Sequence, residues 1–163
     1  MNANAKIIAT RNVQLAIAAA NDMQLDTAVT LTTAFDWETQ QSFSRRIRWF
    51  ANRLNTTLFG KKFTRYKVAV PMIGTIEGGG GSRKHIHTHI SMRRPTGMSI
   101  SDFEAVVRES WWRVNGARCP RVKVKEIYSD GWTGAYTSKD LRVTNTDRLD
   151  VPNICTGVWR DYV

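Results

Sequence analysis

Residues 65–92 read RYKVAVPMIGTIEGGGGSRKHIHTHISM. Two runs rich in β-branched residues flank the four glycines Gly78–Gly81. That pattern predicts a β-hairpin: a strand over 65–77 with Pro71 marking an edge or a bulge, a flexible glycine tip, and a returning strand over 85–92. All three histidines of the chain, His85, His87 and His89, fall in the returning strand. Strand side chains alternate between faces, so the three imidazoles are expected on one face and Ile86 and Ile90 on the other, towards a core.

Working outward, Ala28–Thr33 (AVTLTT) reads as an earlier strand. Asp36 is placed to cap a helix from Trp37, whose core face is Phe43, Ile47, Phe50, Ala51, Leu54 and Leu58, and Gly60 ends it. Beyond the hairpin, Ser101 and Glu104 have the spacing of a capping box opening a second helix. Phe103, Val106, Val107, Trp111 and Val114 form its inner face, and Asn115-Gly116 stops it. Arg121–Ile127 (RVKVKEI) alternates as a fourth strand, and a third helix is expected over about 132–141. The order β-α-β-β-α-β-α predicts an α+β fold of the ferredoxin-like, split βαβ type (RRM-like), an antiparallel sheet with helices on one face. One domain over 27–142 is expected, with residues 1–26 as an N-terminal extension and 143–163 as a C-terminal tail.

At 163 residues, with 42% hydrophobic and 23% charged residues, the chain suits one soluble domain with its own core. No apolar run approaches the ~18 residues needed to span a bilayer. The N-terminal stretch has no basic start followed by an apolar core, so no leader peptide is expected. Cys119 and Cys155 have no metal-binding spacing and suit reduced thiols, which points to a cytoplasmic setting in a host cell. The net charge of +10 is unevenly placed. Residues 39–101 hold twelve Lys or Arg against one acid, Glu77, leaving twelve bases and thirteen acids elsewhere. Such concentration favours a polyanionic partner, most simply nucleic acid. No basic amphipathic helix stands alone, so a membrane surface is not expected.

Two imidazoles at i and i+2 on a strand are held at a separation that can chelate one cation. A hairpin turning near Gly81 places Glu77 opposite His85 and on the histidine face. The predicted ligands are therefore His85, His87 and Glu77, with His89 a further candidate, for a divalent ion such as Mn²⁺ or Mg²⁺. Two imidazoles and a carboxylate also suit iron or zinc, but no cysteine is near enough for a structural zinc site.

Downstream, GWTGAYTSKDL (131–141) puts Tyr136 and Lys139 on one face of the third helix. A phenol, with an ordinary pKa of about 10, is a poor nucleophile without help. The Lys139 ammonium would favour the phenolate or offset charge on a phosphate, and a chelated cation would polarise that phosphate. Arg45 and Arg48 on the first helix, Lys61 and Lys62 after it, Arg83 and Lys84 at the hairpin tip, and Arg93 and Arg94 beyond the histidine strand are candidate DNA-backbone contacts. Trp112 and Trp132 are candidates for stacking on unpaired bases, with packing the favoured reading for each.

HIHTHI (85–90) resembles the His-hydrophobe-His motif of the HUH endonuclease superfamily. AYTSK (135–139) resembles the tyrosine motif of its rolling-circle replication initiators, and VTLTT (29–33) their first strand motif. The resemblance spans about residues 28–141. It implies metal binding by His85 and His87, a third ligand at the place of Glu77, and nucleophilic attack by Tyr136. The implied activity is nicking and rejoining of single-stranded DNA or an origin hairpin through a 5′-phosphotyrosine, which initiates rolling-circle replication. The tyrosine follows the histidines, as in initiators and unlike relaxases. Lys139 favours an initiator over a single-tyrosine transposase, the first alternative. The second is a non-catalytic nucleic-acid-binding module, which would normally display aromatics on its central strands. No P-loop is present, so an initiator of this kind would need a separate helicase, and a polymerase, as partners.

Overall fold

The computed structural model describes residues 22–33, 35, 38–78, 85–116 and 121–127, together with residue 18. The third helix expected over 132–141, with Trp132, Tyr136 and Lys139, lies outside them, as do Arg83 and Lys84. The described elements are β1 (Thr27–Thr32), α1 (Gln40–Phe59), α2 (Lys61–Tyr66), β2 (Met72–Glu77), β3 (His87–Met92), α3 (Ile100–Asn115) and β4 (Val122–Glu126). The strands form one antiparallel sheet in the order β2-β3-β1-β4. This is the expected ferredoxin-like α+β arrangement.

Alternation in the two inner strands creates the two faces of the sheet. Val29 and Leu31 of β1 and Ile90 and Met92 of β3 turn to one side, where Phe43, Ile47, Phe50 and Leu54 of α1 and Phe103, Val107 and Trp111 of α3 cover them. Trp111 lies fully buried at the centre, as its helical spacing predicts. Its ring stands edge-on to Phe43 and Phe50, with centroids 6.0 and 5.7 Å away. Its indole N–H points to the Thr32 carbonyl at 3.4 Å. Both helices therefore lie on one face of the sheet.

Several boundaries differ from the sequence reading. Helix α1 begins at Gln40, not Trp37, because Thr39 and Ser42 cap it reciprocally through side chain and backbone. Just before the cap, Glu38 is buried and held by the Arg46 guanidinium at 2.8 Å and the Thr33 hydroxyl. Helix α3 is capped by Ser99, whose hydroxyl accepts from the Asp102 N–H, and not by Ser101 with Glu104. Glu104 instead pairs with Arg108 one turn on. Residues 61–66 are helical, which takes Arg65 and Tyr66 out of the strand expected over 65–77, and the chain reverses at Lys67, whose φ is +57°. The buried Asn55 ties this connection to α1 by donating to the Ala51 carbonyl and accepting from the Val70 N–H. Strand β2 thus starts only after Pro71, and it is an edge strand, in keeping with that proline. At the other boundary, Asp26 is part of the sheet. Its N–H donates to the Met92 carbonyl and its own carbonyl accepts from Ile127.

The hairpin register also differs. Glu77 pairs with His87, two residues beyond the expected His85. Gly74 supplies the reason, because it lies opposite Ile90. A Cβ built there would meet Ile90 Cγ1 at 3.2 Å and the His89 carbonyl oxygen at 3.3 Å. A side chain there would require Ile90 and the β3 backbone to give by a few tenths of an ångström. The Thr88 hydroxyl adds a bond of 2.8 Å to the Thr75 carbonyl. Gly74→Ala should therefore cost about 1–3 kcal/mol of stability through overpacking in the sheet. Urea unfolding of the two proteins measures this, and an unchanged midpoint would refute the register.

Candidate metal centre

Strand β3 lies between β2 and β1, so a side chain on its outer face has a neighbour on each side. His87 stands between Glu77 of β2 and Thr32 of β1, and His89 between Thr75 and Thr30. Because Ile90 and Thr88 face the helices, His87 and His89 face away from them. The even, two-residue shift of register leaves Glu77 on their side, as alternation requires.

These three residues converge. One Glu77 oxygen is 3.4 Å from His87 Nε2 and the other is 3.4 Å from His89 Nε2. One ligand atom from each of the three lies within 4.8 Å of the others. The two rings are nearly perpendicular, at 89°, with centroids 5.1 Å apart. The side chains keep 13%, 18% and 9% of their exposure for Glu77, His87 and His89, so water is largely but not wholly excluded.

The donor set fits a divalent cation. Four ligands at ~2.1 Å around a tetrahedral ion are ~3.4 Å from one another, which matches both nitrogen–oxygen separations here. The ring orientations also suit ligation. His87 Nδ1 lies 3.0 Å from the His85 carbonyl oxygen, which can only accept, so the hydrogen bond places the proton on Nδ1. In the neutral ring this turns the Nε2 lone pair towards Glu77. His89 Nδ1 lies 3.1 Å from the Thr30 hydroxyl, which can accept in the same way. Thr30 was not singled out from the sequence. Its signal there is only its outward place in AVTLTT.

His85 has a different place from the one expected. It precedes β3, its side chain is exposed, and its contribution to the cluster is the carbonyl that orients His87. His87 and His89, rather than His85 and His87, therefore flank Glu77, because Gly74 sets the register two residues further along.

Among the described residues, the candidate DNA contacts do not gather at this centre. Arg45 and Arg48 are exposed on α1, which packs on the other side of the sheet, and Lys61 and Lys62 are exposed on α2, which adjoins α1. Arg93 and Arg94 follow the far end of β3, about 20 Å from His87 at ~3.4 Å per residue. Arg94 is bound to Glu126 at 2.9 Å and to Asp26 at 3.7 Å, so it closes the end of the sheet. Trp112, for which packing was favoured, is half exposed. The sequence reading passed over Lys123 and Lys125. Val122 and Val124 of β4 pack against the core, so the two lysines between and after them project on the histidine side. Lys123 pairs with Thr30, the strand neighbour of His89. Their signal was present in the alternation of RVKVKEI.

Among the described residues, no helix is long and apolar enough to cross a membrane. Comparison of the chain with protein-family models, with curated proteins and with solved structures gives no match.

Titration with Mn²⁺ or Zn²⁺ followed by calorimetry should show one site per chain. Glu77→Gln and His89→Ala should each weaken it by tenfold or more, on the order expected for loss of a ligand, and Thr30→Val by about tenfold through loss of ring orientation. His85→Ala, which keeps the carbonyl that orients His87, should leave the affinity within about twofold. If His85→Ala abolished binding while His89→Ala did not, the assignment of ligands would be reversed.

Proposed function

We propose that this chain is a metal-dependent DNA nicking and joining enzyme, which cuts one strand by forming a phosphotyrosine bond. The observation that carries the reading is the single Glu77 carboxylate set between the Nε2 atoms of His87 and His89 on the sheet face away from the helices. Supporting it are the strong basic bias of residues 39–101, the two lysines on the same face, and the order of motifs along the chain. The order resembles that of rolling-circle replication initiators, as set out above.

In this reading Glu77, His87 and His89 hold the cation. When bound, Mn²⁺ or Mg²⁺ supplies Lewis-acid polarisation of the scissile phosphate. Lys123 and Lys125 hold neighbouring phosphates of a single strand across the sheet. Tyr136, assigned from sequence, attacks phosphorus through its hydroxyl oxygen. The Tyr–O–P bond forms as the P–O3′ bond breaks, and the leaving oxygen takes a proton to become a free 3′-hydroxyl. Lys139, also assigned from sequence, favours the phenolate. Because the phosphodiester energy is kept in the protein–DNA link, attack by a 3′-hydroxyl rejoins a strand. Initiation of rolling-circle replication at an origin hairpin is the biological setting proposed, with a separate helicase and polymerase continuing from the 3′ end.

Incubation with pooled single-stranded oligonucleotides and Mn²⁺ should give a covalent protein–DNA adduct, resolved on denaturing gels. Tyr136→Phe, chelator and His87→Ala should each abolish it, a loss of at least about 10³-fold for the nucleophile. Lys123→Ala with Lys125→Ala should weaken oligonucleotide binding and lower its salt dependence by about two phosphate contacts. An adduct that survives Tyr136→Phe would move the nucleophile elsewhere, and one that survives chelation would remove the metal from the reaction.

A further inference from the structure

The outer surface of the helix layer carries a second feature, on the side of the sheet away from the imidazoles. A groove of about 750 Å³ lies between α1 and the C-terminal end of α3. From α1 it is lined by Trp49, Asn52, Arg53 and Thr56, and from α3 by Trp112 and Arg113. The α1 residues are spaced i, i+3, i+4 and i+7, so they form one stripe along the helix. Trp49 is 59% exposed and Trp112 50%, two of only three large hydrophobic side chains so exposed among the described residues.

Cations predominate around these indoles. Helix α1 carries four arginines and no acid, and none of the groove-lining residues is acidic. Arg113 does hold Glu109 at 2.6 Å, but both side chains are about half exposed, and such a pair is easily exchanged for another anion. The C-terminal end of α3 presents carbonyl oxygens, which disfavour a phosphate at that end. Phosphates would therefore lie along the Arg48–Arg53 side and bases towards Trp112.

We propose that this groove is a second binding site for single-stranded nucleic acid, with bases stacked on Trp49 and Trp112 and phosphates held by Arg48 and Arg53. Exposed aromatic faces between cations are what an unpaired strand recognises without regard to sequence. An acidic peptide would use the arginines but gives no reason for two open indoles. The site is independent of cleavage, because it shares no residue with the metal centre. It would let the protein hold one segment of strand on its back while another lies on the sheet.

The test uses the full chain in EDTA with a fluorescein-labelled oligo-dT of six nucleotides. Calorimetry should give two oligonucleotides per chain, falling to one in Trp49→Ala/Trp112→Ala. Each single alanine variant should weaken the groove site by about fivefold or more, whereas Trp49→Phe and Trp112→Phe should retain most of the affinity. Circular dichroism should stay unchanged, since both indoles are surface groups. Adduct formation with Mn²⁺ should persist in the double variant, which separates this proposal from the nicking reading. Wild-type stoichiometry in the double variant would overturn the groove site. So would a dimer that dissociates on Trp49→Ala/Trp112→Ala with oligonucleotide binding intact, because the occupant would then be a second copy of the chain.

Discussion

The seating of Ile90 over Gly74 fixes the hairpin register, and most of what matters in this molecule follows from it. With that contact made, Thr88 and Met92 also turn to the helices, and His87 and His89 turn the other way. Glu77 is then carried to the place opposite His87 with its carboxylate between both rings. A slip of one residue would exchange the two faces completely, putting imidazoles against Phe43 and Trp111 and isoleucines in water. The packing of the core and the assembly of the candidate metal centre are thus one constraint, met at a glycine that contributes no side-chain chemistry of its own.

The sheet also separates two kinds of surface. Its helix side is sealed by aromatic packing around Trp111, and beyond that seal α1 exposes arginines and tryptophan. Its other side carries Thr30, Glu77, His87 and His89, with Lys123 and Lys125 on the β4 edge and the apolar Ile73 and Ala28 towards the opposite end. Arg94, Asp26 and Glu126 tie β1, β3 and β4 together at one end of the sheet. Each of these pairs is partly exposed and so adds little stability alone, but together they use up a cation that the basic composition had suggested was available to DNA.

The architecture was legible in the sequence because burial leaves a period. Alternation in AVTLTT, HTHISM and RVKVKEI, and helical spacing from Phe43 to Leu54 and from Phe103 to Trp111, each mark a face that must be covered. Boundaries were less legible, because several residues compete for the same role. Asp36, Thr39, Ser99 and Ser101 are all good caps, and the choice between them was settled by the buried Glu38–Arg46 pair and by the geometry of Ser99 with Asp102. Likewise, KKFTRY has no strong period, and its helical turn is set by the reversal at Lys67. The face of the metal centre was readable while its membership was not. Alternation survives an even shift in register, whereas the identity of the opposing histidine depends on where one glycine meets one isoleucine.

That distinction has chemical content. In the expected register, His85 would have stood at the open end of the hairpin, next to the glycine tip. In the observed one, the candidate ligands are His87 and His89, inside the ladder and flanked by strands on both sides. The move exchanges one exposed imidazole for one that is 9% exposed and bonded to Thr30. A ring held in this way loses little freedom on binding a cation, and the partly dry surroundings strengthen its pull on the charge. His85 keeps a role through its backbone, since its carbonyl fixes the proton on His87 Nδ1 and so leaves Nε2 open to a cation. The third histidine of HIHTHI is therefore a candidate ligand set within the sheet, and the first is the residue whose main chain orients the second.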